Sequence, residues 1–325
     1  MAVSDHLLAE ALGLYALDKP RAELIRHNEN MTYRVTDADK RYVLRIHKHA
    51  AGFSSDIHDA NHSRLALIQG ELDVITALRD GTEIPMQAPV SGKNGNPVQV
   101  LADNTPVTLL EWVEGQTVES AEMTPDLLRN TGKLMATVHA FFSKQNDMAK
   151  RYTRYSYDQT TLTHIAEKIE SAAKAEAILS EQARIILRAL VETRRRFGEL
   201  DAMQEKHIVH ADLGKSNVIA GADGRLTPID FSLCGYSHFY MDIGSIYGFN
   251  HDDEGRKHII EGYKSVRDRE IIPRYVEPYF ALGIILFIAG QYERAKDWDW
   301  FPGHMERWCG DVFRPLGDDA EFILI

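Results

Sequence analysis

Residues 208–231 read Ile-Val-His-Ala-Asp-Leu-Gly-Lys-Ser-Asn-Val-Ile-Ala-Gly-Ala-Asp-Gly-Arg-Leu-Thr-Pro-Ile-Asp-Phe, and this stretch decides the fold of the chain. The Asp223-Gly224 dipeptide lies between two short apolar runs, a pattern typical of a β-hairpin. A hairpin brings the ends of its two strands side by side. Asp212 and Asn217 before the hairpin should therefore converge with Asp230 after it, which predicts three oxygen-bearing side chains at one end of a small β-ribbon.

This convergence of polar side chains suits phosphoryl transfer. Mg²⁺ takes oxygen ligands in octahedral geometry and binds one or two carboxylates, leaving its other positions to phosphates and water. Asp230 and the amide oxygen of Asn217 meet that requirement, and Asp212 can then receive or orient a hydroxyl proton. Acidic residues beside an Asp-Gly turn are also common as solvated surface residues. It is the joint spacing that favours a metal and phosphate site.

The same stretch resembles a known family. His210-Ala211-Asp212, Asn217 and Asp230-Phe231 are similar to the catalytic loop and metal-binding Asp of the protein-kinase-like fold. The closer resemblance is to the aminoglycoside phosphotransferase and choline kinase-like families, whose loop reads His-Gly-Asp-Leu-x-x-x-Asn, and the departures here are Ala211 and Lys215. The resemblance implies a two-lobed α+β fold with a β-rich N-lobe and a mostly helical C-lobe, ATP and Mg²⁺ as cofactors, and Asp212 as the catalytic residue.

The segment after Asp230 separates two kinds of kinase. Protein kinases carry an activation segment with an Ala-Pro-Glu anchor and often an Arg before the catalytic Asp. Here Ala211 holds the Arg position, and only residues 231–241 separate Asp230 from Asp242-Ile243-Gly244. By resemblance, Asp242 braces the backbone of the catalytic loop. We therefore expect a small-molecule hydroxyl acceptor, with a protein kinase as the disfavoured alternative.

Composition limits the partners and the compartment. The chain has 325 residues, 44% of them hydrophobic, and a formal charge of −11. That charge argues against nucleic acid or an anionic membrane as the main partner and is compatible with a cationic acceptor. Two cysteines give no disulfide framework, and no signal peptide is apparent, so we expect a cytoplasmic protein. The most apolar run, 279–290, is too short to span a bilayer.

Three alternating runs near the N-terminus predict β-strands, at 22–25, 31–36 and 41–47. In the third, alternation places Val43, Arg45 and His47 on one face. The kinase fold carries a phosphate-gripping Lys on this strand. We predict that Arg45 replaces it, since a guanidinium can bind phosphate oxygens bidentately, and that Val43 faces the adenine. Lys40 or Lys48 could supply the charge instead.

The partner expected for Arg45 is Glu71. Apolar residues recur at helical spacing over 62–79, and Glu71 falls on their inward side. A buried carboxylate is costly unless it is paired, which favours an Arg45–Glu71 ion pair. The alternative is that Glu71 only borders the apolar stripe.

Two backbone segments are candidates for nucleotide contact. The turn at 27–30 lacks the glycine-rich pattern of protein kinases, and the N–H groups near Asn30 and Thr32 could contact phosphate, although an ordinary polar turn is equally compatible. The run 109–115 resembles the hinge between kinase lobes, where the C=O of Glu111 and the N–H of Val113 would pair with adenine. We place the N-lobe at 1–110, the hinge at 111–116 and the C-lobe at 117–325.

Several further residues are open to two interpretations. Lys215 could neutralise the γ-phosphate or face solvent. His139, on an apolar helix face, is interpreted as a packed histidine. His58 and His62 have a zinc-compatible spacing, but a polar loop rich in His is the commoner outcome.

The aromatic and acidic run 297–301 with Trp308 could bind an ammonium group or pack as core. A nucleotide-binding pseudokinase without turnover remains the alternative function. Ala88–Val90 and Val98–Leu101 are predicted to form a hairpin.

Overall fold

The structure, a computed structural model, describes residues 3–53, 62–145, 151–204, 206–249 and 253–323. Its N-terminal region is built on a five-stranded antiparallel sheet with the strand order β1-β2-β3-β5-β4. The strands are β1 (Arg21–His27), β2 (Met31–Asp37), β3 (Lys40–Ile46), β4 (Val98–Val100) and β5 (Pro106–Glu111).

Strand alternation gives the two faces of this sheet different environments. Tyr33, Leu44 and Leu109 are direct cross-strand neighbours, and all are buried. They pack with the helix α1 (Val3–Gly13) in a small separate core. The next register row, Thr32 and Arg45, points to the opposite face.

The helix α2 (Arg64–Gly81) joins this sheet to the rest of the molecule. Its N-terminus is capped by Ser63, whose hydroxyl accepts a hydrogen bond from the Ala66 N–H at 3.2 Å. Gly70 lets the helix approach the later chain closely, because a Cβ there would lie 2.1 Å from the carbonyl oxygen of Thr153. The close contact at Gly70 fixes the position of the next residue, Glu71, relative to the cleft.

The C-terminal region is mostly helical, as predicted. Its helices are α3 (Pro125–Phe142), α4 (Gln159–Lys174), α5 (Ser180–Met203), α6 (Tyr240–Phe249), α7 (Asp253–Val266), α8 (Pro273–Ala295), α9 (Phe301–Trp308) and α10 (Arg314–Gly317). They enclose the larger hydrophobic core of the protein. The helices α4 and α5 are separated at Ala175–Leu179. No helix among the described residues is both long and apolar enough to cross a membrane.

Two small sheets lie at the base of the cleft. Their strands are β6 (Gln116–Thr117), β7 (Tyr155–Ser156), β8 (His207–Val209), β9 (Val218–Ala220), β10 (Leu226–Pro228) and β11 (Gly235–Ser237). The predicted hairpin is confirmed: β9 and β10 pair antiparallel, and Gly224 adopts a φ of +77° in the turn. The strand β6 pairs with β9, so the chain leaving β5 joins the hairpin directly.

The predicted hairpin between Ala88–Val90 and Val98–Leu101 is wrong. Pro89 instead forms an isolated bridge with Leu110, and β4 pairs with β5. Both segments therefore pair with β5, which is long enough to take a different neighbour at each end of the same edge. His58, one half of the candidate zinc pair, lies outside the described residues. Among those that are described, no cluster of three or more metal-binding side chains is found.

Candidate active site

A cavity of about 300 Å³ lies between the β1–β2 turn, the loop that precedes β9, and one face of α8. Its lining includes Asp212, Asn217 and Asp230, so the structure brings together the three residues predicted to converge. On the far side, α8 contributes residues spaced i, i+3, i+4, i+7 and i+8, which places them on one helical face. They are Gly283, Leu286, Phe287, Gly290 and Gln291.

Asp242 holds the backbone of the loop from behind. Its carboxylate accepts hydrogen bonds from the N–H groups of His210 at 2.9 Å and Ala211 at 2.7 Å. It also accepts one from Nε2 of His139 at 2.8 Å, and the other ring nitrogen of His139 lies 3.0 Å from the Tyr263 hydroxyl. The predicted bracing role of Asp242 is confirmed. His139 is fully buried, and its place is to fix Asp242 rather than to face the cavity.

The loop turns sharply into the cavity at Ala211, which has a φ of +66°. That left-handed conformation favours glycine, the residue that the resembling families carry here. His210 supports the turn, because its Nε2 donates to the Ile229 carbonyl at 3.0 Å and its Nδ1 accepts from the Asp212 N–H at 3.3 Å. The loop is thereby tied to the end of β10 immediately before Asp230.

Asp212 presents its carboxylate to the cavity. Asn217 donates its amide Nδ2 to the Asp212 backbone carbonyl at 2.9 Å and to Oδ2 at 2.8 Å. The side chain of Asp212 is open to the cleft, yet the surrounding protein and the nearby Asp230 charge raise its pKa to about 7. Such a carboxylate changes protonation near neutral pH, as a proton acceptor should.

Asp230 sits opposite, in a left-handed conformation with a φ of +63°. Burial raises its pKa, but the guanidinium groups of Arg45 and Arg26 outweigh burial and keep the pKa below its usual range. Its Oδ1 lies 3.4 Å from Arg45 Nη2, in a geometry too poor for a hydrogen bond. That buried oxygen is left without a hydrogen-bond partner among the described residues.

This orphaned oxygen suits a divalent cation. The Nδ2 of Asn217 donates to Asp212, which leaves the amide oxygen of Asn217 available as a ligand. Together with Asp230 it forms a hard, all-oxygen donor pair that leaves further positions to phosphate and water, as Mg²⁺ prefers. The residues present therefore fit the metal that the fold implies.

Arg45 and Glu71 form the ion pair expected from strand and helix periodicity. Arg45 Nη1 lies 2.8 Å from Glu71 Oε1, and both side chains are less than a tenth exposed. Burial raises the pKa of Glu71 even though Arg45 lowers it. Arg45 lines the cavity, whereas the alternative cation Lys48 is exposed and lies 3.9 Å from Asp103.

Two charged residues that line the cavity were not foreseen from the sequence. Arg26, at the end of β1, places Nη2 at 3.2 Å from Asp230 Oδ2. Glu29, in the β1–β2 turn, accepts a hydrogen bond from the Ser232 hydroxyl at 3.2 Å. Burial, Asp230 and Glu71 together raise the pKa of Glu29 to about 7. Its position within the predicted phosphate turn was the available signal, but the sequence does not indicate that it points inward.

The predicted adenine contacts lie outside this cavity. The C=O of Glu111 accepts a hydrogen bond from Gln87 Nε2 at 3.1 Å, which uses one of its two lone pairs. The Val113 N–H donates no hydrogen bond within the described part of the chain. Val43 and Lys215 do not line the cavity either. The nucleotide roles of these four residues stay predictions.

The aromatic residues near the C-terminus form one cluster. Trp298 and Trp300 stack with ring centroids 5.3 Å apart, and both contact Phe287 of α8. Trp308 meets Phe287 edge-on at 6.1 Å. Phe287 is the member of this cluster that lines the cavity. Trp298 and Trp308 pack against the core behind the cavity wall, which agrees with the core interpretation, whereas Trp300 is 43% exposed.

An N-terminal β-sheet joined to a helical region, with a braced Asp-containing loop at the cleft, is the fold of protein-kinase-like phosphotransferases. The chain belongs to the phosphotransferase enzyme family, whose model matches residues 21–273. A search of curated proteins gave no match.

Solved structures share the fold over almost the whole chain. A microcompartment-associated aminopropanol kinase is 22% identical with a TM-score of 0.77, covering 98% of this chain and 99% of its own. An amicoumacin kinase in complex with AMP-PNP and Ca²⁺ is 20% identical with a TM-score of 0.74, covering 99% and 95%. The choline kinase of Streptococcus pneumoniae is 13% identical with a TM-score of 0.63, covering 96% and 99%.

Proposed function

We propose that this protein transfers the γ-phosphoryl group of ATP to a hydroxyl group of a small molecule in the cytoplasm. The observation that carries the proposal is that Asp212 lines one cavity together with the metal-compatible pair Asp230 and Asn217 and one face of α8. The cavity is continuous from the β1–β2 turn to α8. It therefore has room for a phosphate chain at one end and an acceptor at the other.

Each residue at the phosphate end has a role in this proposal. Asp230 and Asn217 would hold Mg²⁺, which supplies charge neutralisation for the phosphates. Arg45, fixed by Glu71, binds the α- and β-phosphates. Lys215, the candidate for the γ-phosphate, lies outside the cavity lining and would have to extend toward it. The adenine lies between Val43 and the hinge at 111–116, pairing with the backbone of Glu111 and Val113, with the N-lobe at 1–110 and the C-lobe at 117–325.

Asp212 carries the proton of the reaction. The acceptor hydroxyl oxygen forms a new bond to the γ-phosphorus while the bond from that phosphorus to the bridging oxygen breaks, and ADP leaves. The hydroxyl proton passes to the Asp212 carboxylate, which Asn217 holds in place through the 2.8 Å hydrogen bond. Positioning of this kind is the main contribution a protein makes to phosphoryl transfer.

The acceptor belongs to the class of hydroxylated amines, amino acids, sugars and aminoglycosides. Aminopropanol, choline and ethanolamine kinases and aminoglycoside phosphotransferases share the fold, which supports this range. A cationic acceptor is compatible with the net charge of −11.

A panel assay tests the proposal. Mg-ATP consumption is measured with representatives of each acceptor class for the wild-type protein and for Asp212→Ala. We expect at least one acceptor to stimulate turnover in the wild type and not in the variant. Mg-ATP binding by calorimetry without stimulation by any acceptor above the variant's level would instead favour the pseudokinase alternative. Asp223→Ala, at the opposite end of the same hairpin, is the matched control and should turn over normally.

A further inference from the structure

A β-bulge in the first strand changes which side chain faces the cleft. The pairing of β1 with β2 runs in one register up to Leu24, opposite Tyr33, and then shifts by one residue. After the shift, Arg26 lies opposite Thr32. Without it, Ile25 would take that position. The extra residue is left on the surface, where Ile25 is 53% exposed.

The bulge completes a row of polar side chains across three strands. Arg26 is the cross-strand neighbour of Thr32, and Thr32 is the neighbour of Arg45. All three line the cavity. Bulges next to active sites commonly serve to re-aim one side chain, and here the re-aimed side chain is a guanidinium directed at the metal-compatible Asp230.

The free energy of folding gained from the contact between Arg26 and Asp230 is too small to account for the bulge. The Arg26 side chain is 53% exposed, and ion pairs of exposed side chains contribute little to the free energy of folding. Asp230 already has Arg45 beside it. The contact also uses only one of the five N–H donors of the guanidinium, leaving its fork open toward the cavity.

We propose that Arg26 is a phosphate-binding residue that contacts the terminal phosphoryl oxygens of the nucleoside triphosphate. It rests on the proposed function, because the carboxylate of Asp230, whose Oδ2 Arg26 contacts, would bind the cation through its unpaired Oδ1. A cation on the Asp230 carboxylate would neutralise its charge, and the guanidinium would then be available to bind a phosphoryl oxyanion. A planar fork of donors suits that oxyanion well.

Nucleotide binding measured by calorimetry, in the presence of Mg²⁺, tests the role of Arg26. The variants are Arg26→Ala and Arg26→Lys. The matched control is Arg34→Ala, which removes an Arg that pairs with exposed Glu23 on the same two strands. We expect Arg26→Ala to weaken AMP-PNP binding by about 10-fold or more, the size of a lost hydrogen bond to a charged group, and to leave AMP binding unchanged. Arg26→Lys should fall between, and Arg34→Ala should match the wild type.

A second titration uses the metal alone. In the nucleotide-free protein Arg26 competes with the cation for Asp230, so Arg26→Ala should bind Mg²⁺ or Mn²⁺ more tightly than the wild type. Wild-type affinity of Arg26→Ala for AMP-PNP would overturn the inference, as would an equal loss of AMP and AMP-PNP binding. If the wild-type protein bound no Mg-nucleotide at all, the proposed function and this inference would both fail, which separates that case from a failure of Arg26 alone.

Discussion

The protein contains two clusters of charged side chains, each centred on a buried Arg, that are built in opposite ways. In the C-terminal clamp, defined by Arg196, Glu192, Glu277 and Asp319, each nitrogen of Arg196 has a partner: Nε donates to Glu192 at 2.7 Å, Nη1 to Glu277 at 2.6 Å and Nη2 to Asp319 at 3.0 Å. The second oxygen of Glu277 accepts the N–H groups of Phe322 and Ile323.

The cleft cluster, defined by Arg26, Arg45, Glu29, Glu71 and Asp230, is incomplete. Three carboxyl groups face two guanidinium groups, and Asp230 Oδ1 has no hydrogen-bond partner among the described residues. A fully paired buried network specifies and rigidifies a structure, whereas an unpaired buried oxygen carries a desolvation cost. The clamp is therefore organised for stability, whereas the cleft cluster keeps an unpaired carboxylate oxygen that can bind a further cation.

Asp212→Asn should give the largest effect and sharpen the contrast. We expect kcat to fall by about 10²- to 10⁴-fold, the usual contribution of a general base. Stability should change in the opposite direction. In the metal-free protein the pKa of Asp212 is about 7, against about 4 in an unfolded chain, so folding favours the protonated form and Asp212 costs stability increasingly as pH rises from about 4 to 7.

The measurement that checks this sign is the melting temperature of the metal-free proteins at pH 5 and pH 8. The advantage of Asp212→Asn over the wild type should be larger at pH 8. An equal difference at both pH values would contradict the raised pKa. Asp223→Asn serves as the control, since the pKa of Asp223 is lowered by its hydrogen bonds with Arg225, so it should not show the same pH trend.

Glu277→Gln should break the clamp. Removing one partner of a buried ion pair costs about 3–5 kcal/mol, and we expect the low end because the amide keeps an acceptor oxygen and Arg196 keeps Glu192 and Asp319. The midpoint of urea unfolding measures the loss, while kcat per folded molecule should be unchanged. Glu181→Gln removes an exposed pair with Arg184 and should leave the midpoint where it is. A normal midpoint in Glu277→Gln would show that the clamp does not stabilise the fold.

Ala211→Gly should have the smallest effect and concerns the backbone of the cleft. An alanine in the left-handed conformation costs about 1–2 kcal/mol. Glycine removes this strain, but part of the gain is lost because glycine raises the conformational entropy of the unfolded chain. We expect a gain of up to about 1 kcal/mol in the free energy of unfolding. Ala166→Gly, in the middle of α4, should lose about 1 kcal/mol instead. The same change from Ala to Gly should therefore raise the free energy of unfolding at Ala211 and lower it at Ala166. Equal losses at both positions would mean that Ala211 is unstrained.

Local patterns in the sequence were sufficient for the centre of the site. The Asp223-Gly224 turn determined the hairpin, and the hairpin determined the meeting of Asp212, Asn217 and Asp230. The Arg45–Glu71 pair also followed, because the strand period sets one face and the helix period the other. In each case the geometry depends on neighbours within one element or one tight turn.

What the sequence did not reveal depends on pairing between distant segments. Arg26 faces the cleft only because the register of β1 shifts, and no residue type in that strand marks the shift. The inward direction of Glu29 depends on Ser232, more than 200 residues later. The segment Ala88–Val90 was assigned to the wrong partner because its short apolar run pairs equally well with any buried strand edge.

The anchoring of the loop by Asp242 has a consequence for how members of such a family diverge. The carboxylate reaches the loop from the core side, and its own support comes from His139 and Tyr263 in the helices α3 and α7. The far wall of the cavity, which the proposed function assigns to the acceptor, is supplied by α8, which takes no part in those hydrogen bonds. Side chains of that wall can therefore be exchanged during evolution without dismantling the reactive centre, and new substrates become accessible at little cost to the chemistry.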